Sequence, residues 1–291
     1  MRCGFGIILV VCGSLGMRTG DAAAIAYDSA GDAVYNSGWV SRTGGGFGWG
    51  GPWQFSVTDG GDFFHIASST LNGGGDPEGD GDINLPPTPA GRAWALTTGA
   101  RPGVADAAYA SRPLSGSLGM SQSILFDFDN TKPVIDASIA GYGLQSFRFE
   151  SASPALIDLP VALEATSQSR DYMVRDATGV HDTGLLLTDQ GLRGRFTLSG
   201  PTNYQISLTP LVAGATPTIY SGTMVDEPIN QITAVNQDAG PSLSNALFLN
   251  SIAVVPEPGS AMPAAAAVAL VLRRRHRRGN QVAGGADNPG H

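Results

Sequence analysis

The sequence predicts an all-β fold, a sandwich of two sheets in one domain. Three observations lead there: a turn-rich composition, short runs of period-two alternation, and turn residues between those runs. Of the 291 residues, 40 are Gly and 19 are Pro, while 42% are hydrophobic and 14% charged. A disordered chain would carry fewer apolar residues and more charge, and a helical one would not tolerate so many glycines. Alternation is clearest between Arg193 and Ser199, where Gly194, Phe196 and Leu198 share one parity against Arg193, Arg195 and Thr197. It recurs in Tyr204, Ile206 and Leu208, in Ile124, Phe126 and Phe128, and in the pairs Phe147/Phe149, Val161/Leu163 and Leu247/Leu249. Such spacing reads as half-buried strands. The segment SGPTN, Ser199 to Asn203, joins two of these runs and predicts a hairpin.

The chain opens on a secretory pattern. Arg2 supplies a basic start, Phe5 to Val11 the apolar stretch, and Ala22, Ala23 and Ala24 small residues for cleavage, so residues 1–24 read as a signal peptide. Cutting after Ala24 or after Ala26 fits equally. Cys3 and Cys12, the two cysteines of the sequence, lie inside this segment, so disulfides cannot hold the mature domain together. Val11 before Cys12 is larger than the small residue a lipoprotein site wants.

At the other end stand three elements in order. VPEP, Val255 to Pro258, is stiff and extended; AAAAVALVL, Ala264 to Leu272, is apolar and helix-prone; RRRHRR, Arg273 to Arg278, is basic. Basic residues beside a hydrophobic segment stay cytoplasmic, so the preceding domain faces outward. A helix from Ala261 to Leu272 would reach ~18 Å at ~1.5 Å per residue, short of the ~30 Å hydrocarbon core. That makes it a weak, transient anchor.

This ending resembles the PEP-CTERM sorting signal, which in that family is recognised by an exosortase, a membrane enzyme similar to cysteine transpeptidases. The resemblance implies that Pro256, Glu257 and Pro258 form the recognised motif and that Arg273, Arg274, Arg275, Arg277 and Arg278 form the membrane stop. It also implies cleavage near the motif and release to the cell surface or matrix of a bacterium that makes extracellular polysaccharide. Residues 279–291 follow as a polar tail, longer than such signals usually carry. The organisation expected is therefore signal peptide 1–24, sandwich ectodomain 25–254, sorting signal 255–278 and tail 279–291. The middle in turn resembles the glycine-rich ectodomains that precede this signal, through Trp39, GGFG (Gly45 to Gly48), Trp53, RAWAL (Arg92 to Leu96), GLRGRFTL (Gly191 to Leu198) and NALFLN (Asn245 to Asn250). Those ectodomains look like jelly rolls, and the likeness implies no established activity.

The two ends hold seven of the 17 basic residues and three of the 25 acidic ones, which leaves 10 against 22 and a net charge of −12 on the middle. Such a surface repels nucleic acid and suits cations or neutral glycans.

Within the domain, GGGFGWGGPW, Gly44 to Trp53, is the most unusual stretch. As an extended chain it would place Phe47, Trp49, Trp53, Phe55 and Val57 on one face opposite glycine, proline and small polar residues. Alternation of this kind favours a core-covering strand, and the glycines with Pro52 favour an edge or a bulge. The alternative is an exposed platform on which Trp49 and Trp53 stack against sugar rings.

Catalytic patterns are sparse. His65 and His181 have no metal-ligand spacing, and no serine lies in G-x-S-x-G. The E-x-D-x-x-E pattern of laminarinase-like glycosidases starts at Glu78 and Asp80 but meets Ile83 where the second glutamate belongs. The acidic loop GGGDPEGDGD places Asp76, Glu78, Asp80 and Asp82 at alternate positions, as a calcium loop does, yet Pro87 stands where a closing glutamate is needed. A solvated acidic loop is the favoured reading and a weak calcium site the alternative.

The function expected is that of an exported, non-enzymatic surface or matrix protein. Its expected partners are an exosortase, through transient insertion of the C-terminal segment, and extracellular polysaccharide, with no nucleic acid and no cofactor beyond optional calcium. A secreted glycan-active hydrolase with an unrecognised catalytic pair is the alternative.

Overall fold

The computed structural model describes residues 23–58, 63–68 (backbone alone), 92–98, 106–130, 143–151, 161–166, 168–188, 191–212, 214–238 and 246–257. They form two antiparallel sheets packed face to face, as expected for a jelly-roll-like sandwich. The strands are β1 (Ala26–Ser29), β2 (Gln54–Thr58), β3 (Phe63–Ser68), β4 (Arg92–Thr97), β5 (Ala107–Pro113), β6 (Gln122–Asn130), β7 (Leu144–Glu150), β8 (Val161–Thr166), β9 (Asp171–Asp176), β10 (Gly179–Leu186), β11 (Leu192–Leu198), β12 (Asn203–Pro210), β13 (Thr218–Thr223), β14 (Gln231–Gln237) and β15 (Leu247–Pro256). The first sheet runs β13-β12-β11-β6-β15-β4-β3, with β1 also on β15; the second runs β10-β9-β8-β7-β14-β5-β2. One short 3-10 turn, Ala33–Tyr35, follows β1. Among the described residues no helix is long and apolar enough to cross a membrane. The C-terminal hydrophobic segment expected at 261–272 lies outside the described residues.

The predicted alternation becomes the two inner faces. On β11, Leu192, Phe196 and Leu198 are buried while Arg193 is exposed and Arg195 and Thr197 are half-buried, and β12 answers with buried Tyr204, Ile206 and Leu208. The hairpin closes at Ser199 to Asn203, where the Ser199 amide donates to the Asn203 carbonyl at 2.9 Å. Aromatic rings tie the sheets together. Phe126 of β6 stacks on Phe147 of β7 with centroids 4.4 Å apart, and Phe196 of β11 stacks on Phe149 of β7 at 4.0 Å. Each buried ring removes a large apolar area from water, the main favourable term in folding.

Gly194 interrupts the inward series of β11 for a reason. A Cβ there would lie 2.0 Å from Cζ of Phe126, so the ring occupies the space a side chain would take.

β15 is central to the first sheet. One of its edges pairs with β6; the other is shared, Leu247 to Leu249 facing β4 and Ser251 to Val254 facing β1. The strand extends to Pro256, two residues beyond the boundary expected at 254, and the Glu257 amide donates to the Ser121 carbonyl at 2.8 Å. The expected boundary follows the start of the VPEP motif, whose Val255 and Pro256 pair with Ser123 and Gln122 of β6.

Gly194→Ala should destabilise the domain by ~1–3 kcal/mol, the usual range for overpacking a filled core. Urea unfolding would measure it; wild-type stability would mean that Phe126 moves aside at no expense.

Candidate functional site

The stretch Gly44 to Trp53 forms a loop laid over the end of the sandwich, before β2 begins. Its base is pinched by the Arg42 amide donating to the Trp53 carbonyl and the Trp53 amide to the Thr43 carbonyl, both at 2.8 Å. The middle runs close to its neighbours: the Phe47 amide donates to the Tyr27 carbonyl at 2.9 Å, and Trp49 bridges Leu114 beside β5. Glycine is required for that approach. Gly46 and Gly48 have φ of +66° and +79°, and Cβ atoms there would sit 1.7 Å from the Tyr27 carbonyl oxygen and 2.1 Å from that of Ile25.

These turns break the alternation expected of an extended chain. Trp53 is 0% exposed and Phe55 packs half-buried against the core, but Trp49 is half-buried and Phe47 is 53% exposed. Trp53 joins Trp39, Trp94 and Tyr35 in one cluster: Trp39 and Trp53 meet edge-on at 5.2 Å, Trp53 and Trp94 at 5.2 Å, and Tyr35 and Trp94 at 5.3 Å. Trp53 therefore offers no face to a ligand, whereas Trp49 and Phe47 flank a shallow cleft of about 330 Å³ lined also by Arg42, Arg112 and the loop glycines.

Beneath the loop lies a buried carboxylate, Asp28 of β1. Its Oδ2 accepts from the Tyr35 hydroxyl at 2.7 Å and from Trp53 Nε1 at 3.1 Å, and it pairs with Arg112 Nη1 at 3.2 Å; its Oδ1 accepts from the Ser29 amide at 2.9 Å. The Tyr35 hydroxyl accepts from the Gly45 amide at 2.8 Å, and Arg112 Nη2 donates to the Gly45 carbonyl at 3.0 Å. Gly45 is thus held at both backbone groups. The Arg112 guanidinium, 2% exposed as a residue, lies 5.4 Å from the Trp49 ring centre and 5.6 Å from that of Trp53. Burial lifts the Asp28 carboxyl from its ordinary value to about 6, outweighing the opposing pull of Arg112 and the Tyr35 hydrogen bond. Neither Asp28 nor Arg112 stood out in the sequence. The only local signal is a charged residue in an otherwise uncharged strand, Asp28 in AYDS of β1 and Arg112 in AAYASRP of β5.

A second buried carboxylate, Asp176 at the end of β9, accepts from the Tyr204 hydroxyl at 2.7 Å, the Thr178 amide at 2.8 Å and the Thr178 hydroxyl at 2.7 Å. Burial alone would raise its pKa, but these donors together outweigh it and hold it below the ordinary value. His181 Nε2 lies 2.8 Å from Thr178 Oγ1 and 3.2 Å from Asp176 Oδ1. A relay needs the two ring nitrogens to face hydroxyl and carboxylate separately. Here one nitrogen meets both, and the hydroxyl already donates to the acid, so the group caps the β9–β10 turn and sets up no nucleophile.

The first of the sorting residues, Pro256, closes β15. Pro256 pairs with Gln122, and the Glu257 carboxylate contacts the Ser123 hydroxyl, Thr197 Oγ1 at 3.4 Å and Arg195 Nη1 at 3.6 Å on the outer face of the first sheet. Pro258, the Arg273–Arg278 cluster and the acidic loop with Asp76, Glu78, Asp80 and Asp82 lie outside the described residues. Among the described residues no three His, Cys, Asp or Glu side chains are grouped to hold a metal. His65 is described by backbone alone, opposite Ala95.

Because the folded pKa of Asp28 is raised, the folded state binds its proton more tightly than the unfolded chain. Stability from this group is full below the unfolded value near 3.8 and is lost as pH rises through about 6. Urea unfolding from pH 4 to 7.5 should show a fall of up to ~3 kcal/mol, from ~1.4 kcal/mol per pKa unit, that Asp28→Asn lacks. An equal slope in both proteins would assign the dependence elsewhere.

No family model matches the chain, and no curated protein matches it. Among solved structures, it is similar to a conserved carbohydrate esterase from the Shiga toxin-encoding bacteriophage phi24B, with a TM-score of 0.44 and 15% identity over 81% of this chain and 99% of that one. It is similar also to the lectin UEA-II complexed with galactose, with a TM-score of 0.38 and 10% identity over 70% of this chain and 98% of that one. The exoplasmic/lumenal domain of VIP36 gives a TM-score of 0.37 and 11% identity over 57% of this chain and 78% of that one.

Proposed function

We propose that the protein is an exported, non-enzymatic β-sandwich of the cell surface or extracellular matrix that contacts polysaccharide through the Gly44–Trp53 cleft. The observation that carries this reading is the cleft itself, where the exposed Phe47 and half-buried Trp49 flank a glycine floor and about 330 Å³ of open space. Bare glycines let a flat ring approach the backbone, and aromatic faces stack on the apolar faces of sugars. Asp28 itself is not free for hydrolytic work, since both its oxygens are committed to Tyr35, Trp53, Ser29 and Arg112.

Export and sorting belong to the same proposal. The signal is cut after Ala24, which leaves β1 whole; a cut after Ala26 would remove the Ala26–Val254 pair and the hydrogen bond from the Ile25 amide to the Val254 carbonyl at 2.7 Å. Pro256, Glu257 and Pro258 are then read by an exosortase while the following apolar segment is inserted and the arginines remain inside.

Glycan contact is tested by titrating the protein with the host exopolysaccharide. Trp49→Ala should lose about tenfold in affinity, or ~1.4 kcal/mol, with a smaller fall in melting temperature than Trp53→Ala, which should lose ~3–5 kcal/mol of stability. Unchanged affinity in Trp49→Ala, or the release of reducing ends with time, would reject the reading.

Sorting is tested by mass spectrometry of the surface fraction. Mature chains should begin at Ile25 and end near Pro258, and Glu257→Ala should leave full-length protein in the inner membrane. Unaltered surface delivery of that variant would refute an exosortase route.

A further inference from the structure

Given the glycan contact proposed above, we infer that the Gly44–Trp53 cleft selects an acidic sugar, a uronate whose carboxylate lies against Arg42 and Arg112 while its ring stacks on Trp49. The charged residues lining the cleft are Arg42 and Arg112, both cations; its other walls are glycine, proline and aromatic residues. Two acids, Asp28 and Asp32, approach the same loop without lining the cleft. An oxygen of each stands 2.7 Å from the point where a Cβ on Gly45 would lie.

The cleft also holds donors left unspent. Arg112, 2% exposed, commits Nη2 to the Gly45 carbonyl, and its Nη1 faces Asp28 Oδ2 at 3.2 Å as a charge pair without hydrogen-bond geometry. Its Nε and the Trp49 Nε1 are also buried, with no acceptor among the described residues. A buried donor without an acceptor is costly, and a bound acceptor offsets that cost. Asp28 is one carboxylate against two guanidinium groups, and its oxygens also accept from Tyr35, Trp53 and Ser29.

Backbone shape points the same way. Arg42 has φ of +70° and is, with Asp238, one of two non-glycine residues in the left-handed region among the described residues. Glycine would take that conformation at less cost, so the arginine at the cleft is held under strain. Exposed Gly44 gives the guanidinium beneath it room, since a Cβ there would lie 2.7 Å from Arg112 Nη1. Guanidinium groups match the planar carboxylate, and their attraction is stronger over a water-poor floor than at an open surface. The chain as a whole is acidic, so this selection is local and suits a single carboxylate on a sugar of disaccharide size in a cleft of about 330 Å³.

Calorimetric titration of the exported protein with cellobiouronic acid, which carries one carboxylate, and with cellobiose, its neutral counterpart, tests this. The acid should bind about tenfold tighter, the worth of one charge-assisted contact. Arg42→Gln, at an exposed position, should keep the melting temperature and bring the two affinities within about threefold of each other. Equal affinity of the wild type for both sugars overturns the acidic preference and leaves the glycan reading standing. A preference for the acid that Arg42→Gln leaves intact overturns it too, because the carboxylate then lies elsewhere. If neither sugar binds at millimolar concentration the inference also falls, and the exopolysaccharide titration then decides the glycan reading by itself.

Discussion

A single buried carboxylate organises one end of this sandwich. Asp28 gathers a tyrosine hydroxyl, an indole, a guanidinium and a backbone amide. Two of those partners, Tyr35 and Arg112, in turn hold Gly45 by its amide and its carbonyl. The position of the glycine-rich loop is therefore dictated from below, by polar groups that would be costly to leave unpaired out of water. Without that framework the loop would have few apolar contacts of its own, since glycine contributes no side chain to bury.

Asp176 shows the other solution to the same problem. Both acids are buried at the end of a strand and both bind a tyrosine hydroxyl, yet their ionisation is pushed in opposite directions. Around Asp176 several local donors come from residues two positions on or from an adjoining hairpin, and together they stabilise the charge. Around Asp28 burial outweighs an arginine and a tyrosine. The first is a turn cap; the second is a charge held under strain beside an open cleft.

Much of the sandwich was legible because its strands alternate. Phe126 and Phe128, Phe147 and Phe149, and the β11–β12 hairpin announce their inner faces by parity alone. The glycine-rich stretch was half legible: Trp53 and Phe55 keep the expected face, but the positive φ of Gly46 and Gly48 turns Phe47 outward, and backbone handedness leaves no mark on hydrophobic parity. The Asp28–Arg112 pair was not legible, because its members come from β1 and β5, on different sheets. Nothing local to either strand records a partner so far away. The same holds for Glu257, whose contacts on β6 and β11 follow from sheet order and not from its neighbours in sequence.

The central place of β15 governs when this domain can come into being. The strand separates β6 from β4 and also carries β1 along its edge, so the first and last strands of the described chain complete each other. A ribosome must therefore have released nearly the whole domain before the first sheet can close, and every earlier intermediate lacks its middle. Closure also joins residues far apart in sequence, which is slow by the entropy of the loops involved. Hairpins made of consecutive strands, such as β11 with β12, can pair as soon as they emerge, but the first sheet is complete only when its last strand has been made.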